Sequence, residues 1–157
     1  MKLVEEVKKK REFSKLPDSI IEEAINKSGG DVKGARAYLR NYFGVFLTNK
    51  VLKGDINPDI VLKNHISSRE RDYEKFYEKI FEGLGDVGSI LDLGCGVNGF
   101  SYKYLKNNLG DTEYIGVEAA EQLVGQMNDY FSKEEFNARA VHRNIFDIKK
   151  ILEILVE

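Results

Sequence analysis

The segment Leu91-Asp92-Leu93-Gly94-Cys95-Gly96-Val97-Asn98-Gly99 constrains this chain more than any other. A short apolar run, Ser89–Leu93, enters a glycine-rich turn, and a helical pattern follows from about Phe100 to Leu109. Glycines let backbone turn sharply and approach a ligand closely, and a helix that starts there aims N–H groups at it. The alternation then continues. Glu113–Glu118 reads as a second strand, Glu121–Phe131 as a helix, Ala138–His142 as a third strand and Lys149–Val156 as a closing helix. Strands alternating with helices through tight loops make a parallel, doubly wound α/β sheet.

Upstream the texture is helical. Pro17-Asp18-Ser19 starts a helix that carries Ile20, Ile21, Ala24 and Ile25, and Ser28-Gly29-Gly30-Asp31 ends it and caps the next. Val32, Ala35, Leu39, Tyr42, Phe43 and Phe46 form an apolar stripe, and Gly54 to Pro58 reads as a loop. Ile60 to Ile66 reads as a short helix or turn. Arg69 to Phe81 reads as a helix with Tyr73, Phe76, Tyr77 and Ile80 on one side. The glycine-rich linker Gly83–Gly88 divides a helical N-terminal domain, 1–82, from the start of a Rossmann-like domain, 83–157.

The 157 residues contain no apolar run of membrane-spanning length, and the start has no secretory pattern. A single cysteine, Cys95, excludes an internal disulfide; a cytoplasmic protein is expected. Net charge is −2, but it is unevenly spread. Residues 1–50 carry 11 Lys and Arg against 7 Asp and Glu, whereas residues 83–157 carry 7 against 12. The basic half is either a surface that meets an anionic partner or a solvated set of helices.

Within the glycine segment, Asp92 stands where a phosphate-binding loop would not want an acid. It argues for a ligand with a positive amine. The second strand ends in Glu118, a carboxylate able to accept hydrogen bonds from ribose hydroxyls. Beyond the third strand, Asn144 and Asp147 are both candidates for an adenine edge. S-adenosylmethionine (SAM) has all of these parts: amine, carboxylate, ribose and adenine. NAD and a non-binding remnant of the fold are the alternatives, and Cys95 reads as a small buried residue rather than a nucleophile.

A second polar cluster, His65-Ile66-Ser67-Ser68-Arg69-Glu70-Arg71, lies upstream. Arg69 can hold a carboxylate by a two-pronged hydrogen bond. Equally, Ser67 or Ser68 can cap the following helix while the charges face water. The two clusters together, with the Asp-Leu-Gly-Cys-Gly-x-Asn loop at Asp92–Asn98, resemble class I SAM-dependent methyltransferases of the 16S rRNA guanine-N7 type, the aminoglycoside-resistance family. Those proteins show His-x-Ser-Thr-Arg-Glu-Arg and Asp-Leu-Ala-Cys-Gly-x-Asn-Pro. More loosely, Phe13–Asp18 and the segment from Ala37 through Leu47 look like that family's helical N-terminal domain.

The resemblance implies that Arg69 holds the SAM carboxylate, with His65 and Ser68 in support. It implies further that Gly94 and Gly96 line the methionine part, Glu118 the ribose, and Asn144-Ile145 the adenine. It implies that the N-terminal domain docks on the small ribosomal subunit, and the candidate contacts in this sequence are its cations Lys8, Lys9, Lys10, Arg11, Lys33, Arg36 and Arg40. Transfer to a guanine N7 lone pair needs no general base, so no catalytic residue and no metal ligand is named. Ser68 stands in place of Thr, Gly94 of Ala, Gly99 of Pro, and Asn144 of an acid. Only three strands are legible where this fold normally has seven. A longer protein, or a second polypeptide that completes the sheet, is therefore expected. The competing readings are a SAM enzyme with another substrate and a non-catalytic SAM-binding or assembly module; a dehydrogenase ranks third.

Overall fold

A computed structural model of the chain describes residues 2–44 and 57–154. Three helices come first: α1 (Lys2–Lys8), α2 (Asp18–Lys27) and α3 (Val32–Phe43). The Asp31 carboxylate starts α3 by accepting from the N–H groups of Lys33 and Gly34, at 3.3 and 2.7 Å. Phe46, and the Val45–Leu47 part of the N-terminal resemblance, lie outside the described residues. So does most of the expected 54–58 loop. Pro58 itself is the first residue of α4 (Pro58–Asn64), where its missing N–H costs nothing, and Asn57 caps that helix.

The next helix begins later than the sequence suggests. Residues 66–70 form turns, and α5 runs Tyr73–Phe81 with Asp72 as its cap. Ser68 does not cap α5. Its hydroxyl turns back and donates to the carbonyls of Leu62 (2.6 Å) and His65 (3.2 Å), closing the end of α4. Ser67 does not cap it either; its hydroxyl lies 2.8 Å from His65 Nδ1.

The sheet follows as read. β1 (Ser89–Leu93), β2 (Glu113–Glu118) and β3 (Ala138–His142) lie in the order β1-β2-β3, all parallel. A single tight turn at Asn98–Ser101 leads into α6 (Tyr102–Leu109), so the α-helix starts two residues later than expected. α7 (Glu121–Lys133) crosses from β2 to β3, and α8 (Ile148–Ile154) closes the described chain.

Because side chains alternate along a strand, β2 feeds two cores. Tyr114 belongs to the main core, which runs without a break through Phe100, Leu123 and Met127 to Ile21 and Leu39 of the N-terminal helices. Ile115 and Val117 belong to a smaller core on the other face, against Ile151 and Ile154 of α8. The C-terminal ends of all three strands meet beside α2 and α3, and the candidate site lies there.

Candidate functional site

The turn after β1 is pinned to β2. The N–H groups of Gly94 and Cys95 both donate to the Val117 carbonyl, at 2.9 and 3.0 Å. The Gly96 N–H donates to Glu118 Oε2 at 3.0 Å. Gly94 and Gly96 have φ of +72° and +54°, the left-handed region that disfavours any side chain. Gly99 is needed for space, since a Cβ there would lie 3.1 Å from the Phe131 ring. Gly94, Gly96 and Gly99 thus stand at Gly-x-Gly-x-x-Gly spacing, so spacing does not separate this loop from a dinucleotide site. The hydrogen bonds do. A pyrophosphate requires free N–H donors, and three of the loop's are spent on the protein's own oxygens.

Two carboxylates border this loop. Glu118 is 6% exposed. Its Oε1 accepts from the N–H groups of Ala119 (2.8 Å) and Ala120 (2.9 Å) as well. Three of about four acceptor positions on the carboxylate are filled, which leaves Oε2 able to take one more donor. Asp92 is half-buried and accepts at Oδ2 from Asn98 Nδ2 (2.8 Å) and from the Tyr114 hydroxyl (2.9 Å). Burial pushes the Tyr114 hydroxyl well up, so it stays protonated and remains a donor. Burial, then the charges of Glu118 and Asp92, pushes the Cys95 thiol up as well, which leaves it inert as a nucleophile.

A cleft of about 260 Å³ opens over the strand ends. One wall is Gly94, Glu118, Ala119, Asn144, Ile145 and Phe146; the other is Ile20, Glu23, Tyr38, Tyr42 and Phe43 of α2 and α3. Phe146 stands at its mouth, 75% exposed. The Asn144 side chain is occupied: it donates to Ser19 Oγ at 3.0 Å and accepts from the Phe146 N–H at 3.1 Å. Asp147 sits where α8 begins and pairs with Lys150 at 3.0 Å; it does not line the cleft.

The upstream cluster is divided. His65 and Ser68 are buried, at 3% exposure each, and burial holds the His65 pKa below its ordinary value. Arg69 is 55% exposed, lies 3.3 Å from Glu70, and lines a separate cavity of about 310 Å³ with Lys63, Tyr73 and Tyr104. The expected meeting of Arg69 with the glycine loop is therefore absent from this structure. Arg71 makes that connection instead. Its guanidinium lies 4.4 Å over the Phe76 ring, donates to the Ser67 carbonyl at 3.3 Å, and reaches Asn98 Oδ1 at 3.5 Å. Arg71 and Asn98 were both visible in the motifs, but nothing in the linear sequence joins them.

The acceptors present would fit a cofactor that brings a cationic amine and a ribose: two carboxylates beside spent N–H groups, next to a mainly apolar cleft that also carries Glu23. Among the described residues no group of three or more His, Cys, Asp or Glu is placed to hold a metal ion, and no helix is long and apolar enough to cross a membrane.

A three-stranded parallel sheet behind a helical N-terminal region, with this cleft at its strand ends, is a methyltransferase-type fold. The chain is similar to the 16S rRNA methylase RmtB, with a TM-score of 0.75 and 17% identity over 92% of this chain and 64% of that one. It is also similar to an rRNA methylase from Escherichia coli, with a TM-score of 0.69 and 14% identity over the same shares. In sequence it is 35% identical over 66 residues to a 16S rRNA (guanine(1405)-N(7))-methyltransferase of Proteus mirabilis. That match covers 41% of this chain and 24% of the relative, and the chain spans about two thirds of the solved proteins it resembles. No protein-family model matches.

Proposed function

We propose that this chain is the SAM-binding part of a methyltransferase that modifies a base of small-subunit ribosomal RNA, at a guanine N7. The observation that carries the cofactor reading is the loop at Gly94–Gly96, whose N–H groups are spent while Asp92 and Glu118 border it. Such a loop repels a pyrophosphate and attracts a cationic amine. In this reading Asp92 takes the amine, Gly94 and Gly96 pass the methionine portion, Glu118 takes a ribose hydroxyl, and Ile145 and the Asn144 backbone flank the adenine. Arg69 enters only with a movement of the 66–70 turn, His65 and Ser68 act as internal supports of that turn, and Asp147 does not enter. When bound, SAM supplies an activated methyl on a sulfonium. The chain's part is then orientation rather than proton transfer.

The RNA reading rests on the sequence likeness to an enzyme named for a guanine N7 of 16S rRNA. Cytoplasmic location and docking on the small ribosomal subunit follow from it. The cations available for docking are fewer than the sequence suggests. Lys8 pairs with Asp18, Lys9 with Glu6, Arg40 with Glu12, and Arg36 donates to the Glu6 carbonyl. Lys10, Arg11 and Lys33 make no ion pair among the described residues, and they are the docking residues we favour. The second reading, a SAM-binding module completed by strands from elsewhere, is favoured by β1. Its outer edge has no strand against it among the described residues.

The test is methyl transfer from labelled SAM to small ribosomal subunits, at rising salt. Labelled 16S RNA, with incorporation that falls steeply with salt, supports the proposal. SAM binding without transfer to RNA, together with co-purification of a second polypeptide, supports the module reading.

A further inference from the structure

Asn98 stands between a cation and an anion. Its Oδ1 faces the Arg71 guanidinium (3.5 Å) and the Tyr77 hydroxyl (3.4 Å), and its Nδ2 donates to Asp92 at 2.8 Å. Turning the amide over would bring NH2 against a guanidinium that has only donors, and an oxygen against a carboxylate. Both contacts would be repulsive, so the amide has one orientation. The frame around it is closed. Tyr77 lies 2.6 Å from Ser101 Oγ, the Ser101 hydroxyl donates to the Asn98 carbonyl at 2.6 Å, and Arg71 is held over Phe76. With Asn98 and Tyr114 both donating to Oδ2 of Asp92, Oδ1 receives no hydrogen bond among the described residues.

We infer that Arg71, Tyr77 and Asn98 are positioning residues that lock the Asp92 carboxylate so that one oxygen is presented to a primary amine, which makes this loop selective for an amino-acid-bearing ligand over its nucleoside core. The inference deepens the SAM reading and rests on it. It gives the upstream cluster a function: Arg71 reaches the ligand only through Asn98 and Asp92. Energetically the lock saves the cost of orienting a carboxylate on binding, and its effect is confined to the part of the ligand that Asp92 meets.

The experiment compares two probes by calorimetry on the full chain. SAM carries the amino-acid portion; 5′-methylthioadenosine keeps the adenosine and thioether and lacks it. In Asn98→Ala and Arg71→Gln the expected result is about a tenfold or greater loss of affinity for SAM, with 5′-methylthioadenosine bound within about twofold of the unmodified chain. Tyr77→Phe, which removes the hydroxyl that packs between Ser101 and Asn98 and preserves shape, shifts the ratio in the same direction by less. It keeps the test open should Asn98→Ala fail to fold. Equal weakening of both probes means a merely structural role and overturns the inference, as does unchanged SAM affinity. If the unmodified chain binds 5′-methylthioadenosine but not SAM, the amine role of Asp92 fails. If it binds neither, the cofactor reading itself falls.

Discussion

The glycine loop and the upstream turn are both short, polar and easily noticed in the sequence, yet the fold treats their charges differently. At the loop, Asp92 and Glu118 are drawn inward and hydrogen-bonded by named donors. At the turn, Arg69 and Glu70 face outward and only Arg71 is drawn into the loop's network. The difference teaches that a charged residue's part in a site is set by what its neighbours leave unsatisfied. Glu118 faces three backbone N–H groups that meet no other acceptor among the described residues. Arg69 faces water.

The sharpest way to break this contrast is Glu118→Ala. It strips the acceptor from three N–H groups in a site that is 6% exposed, and a loss of about 3 kcal/mol in unfolding free energy by urea titration is expected. A loss under about 1 kcal/mol would mean that water replaces the carboxylate and that the loop is not built around it.

Gly96→Ala comes next. It forces a side chain into φ +54° and is expected to cost about 1–2 kcal/mol in the same measurement. The contrast between the two arginines is smaller. Arg71→Ala removes a guanidinium from the Phe76 ring and is expected to cost about 0.5–1 kcal/mol, while Arg69→Ala stays within about 0.5 kcal/mol by thermal melting. Equal shifts would erase the distinction between inward and outward charge.

The gentlest test is pH. Burial lowers the folded-state pKa of His65 below its ordinary value of 6.5. The unfolded chain therefore takes up the proton first as pH falls. His65 contributes stability that is fully present above about pH 6.5 and is lost as pH drops from there through the lower folded-state value. A His65→Gln chain should show a flatter melting temperature between pH 7 and 5 than the unmodified chain.

Much of this was legible in the sequence, for identifiable reasons. The strands β1 to β3 and the cap at Asp31 are set by local chemistry: apolar runs and a short carboxylate. The turn at 66–72 was not legible, because Ser67, Ser68 and Glu70 imitate a helix start. What displaces it is tertiary: Ser68 satisfies two carbonyls at the end of α4 and leaves Asp72 to begin α5. Asp92 and Glu118 were legible as candidate carboxylates, but their partners were not. The Tyr114 hydroxyl reaches Asp92, and the Gly96 N–H reaches Glu118, only once β2 lies beside β1. Arg69 stood out because it matches a family motif, whereas Arg71 became visible only through Asn98, 27 residues away.

The most direct measurement is a calorimetric titration of the chain with SAM and, separately, with NAD, each repeated on Asp92→Asn, which keeps the shape and removes the charge. The expected result is SAM binding that Asp92→Asn abolishes or greatly weakens, with no binding of NAD. Binding of NAD in preference to SAM, or SAM affinity that survives Asp92→Asn unchanged, would contradict a loop built to meet a cationic amine.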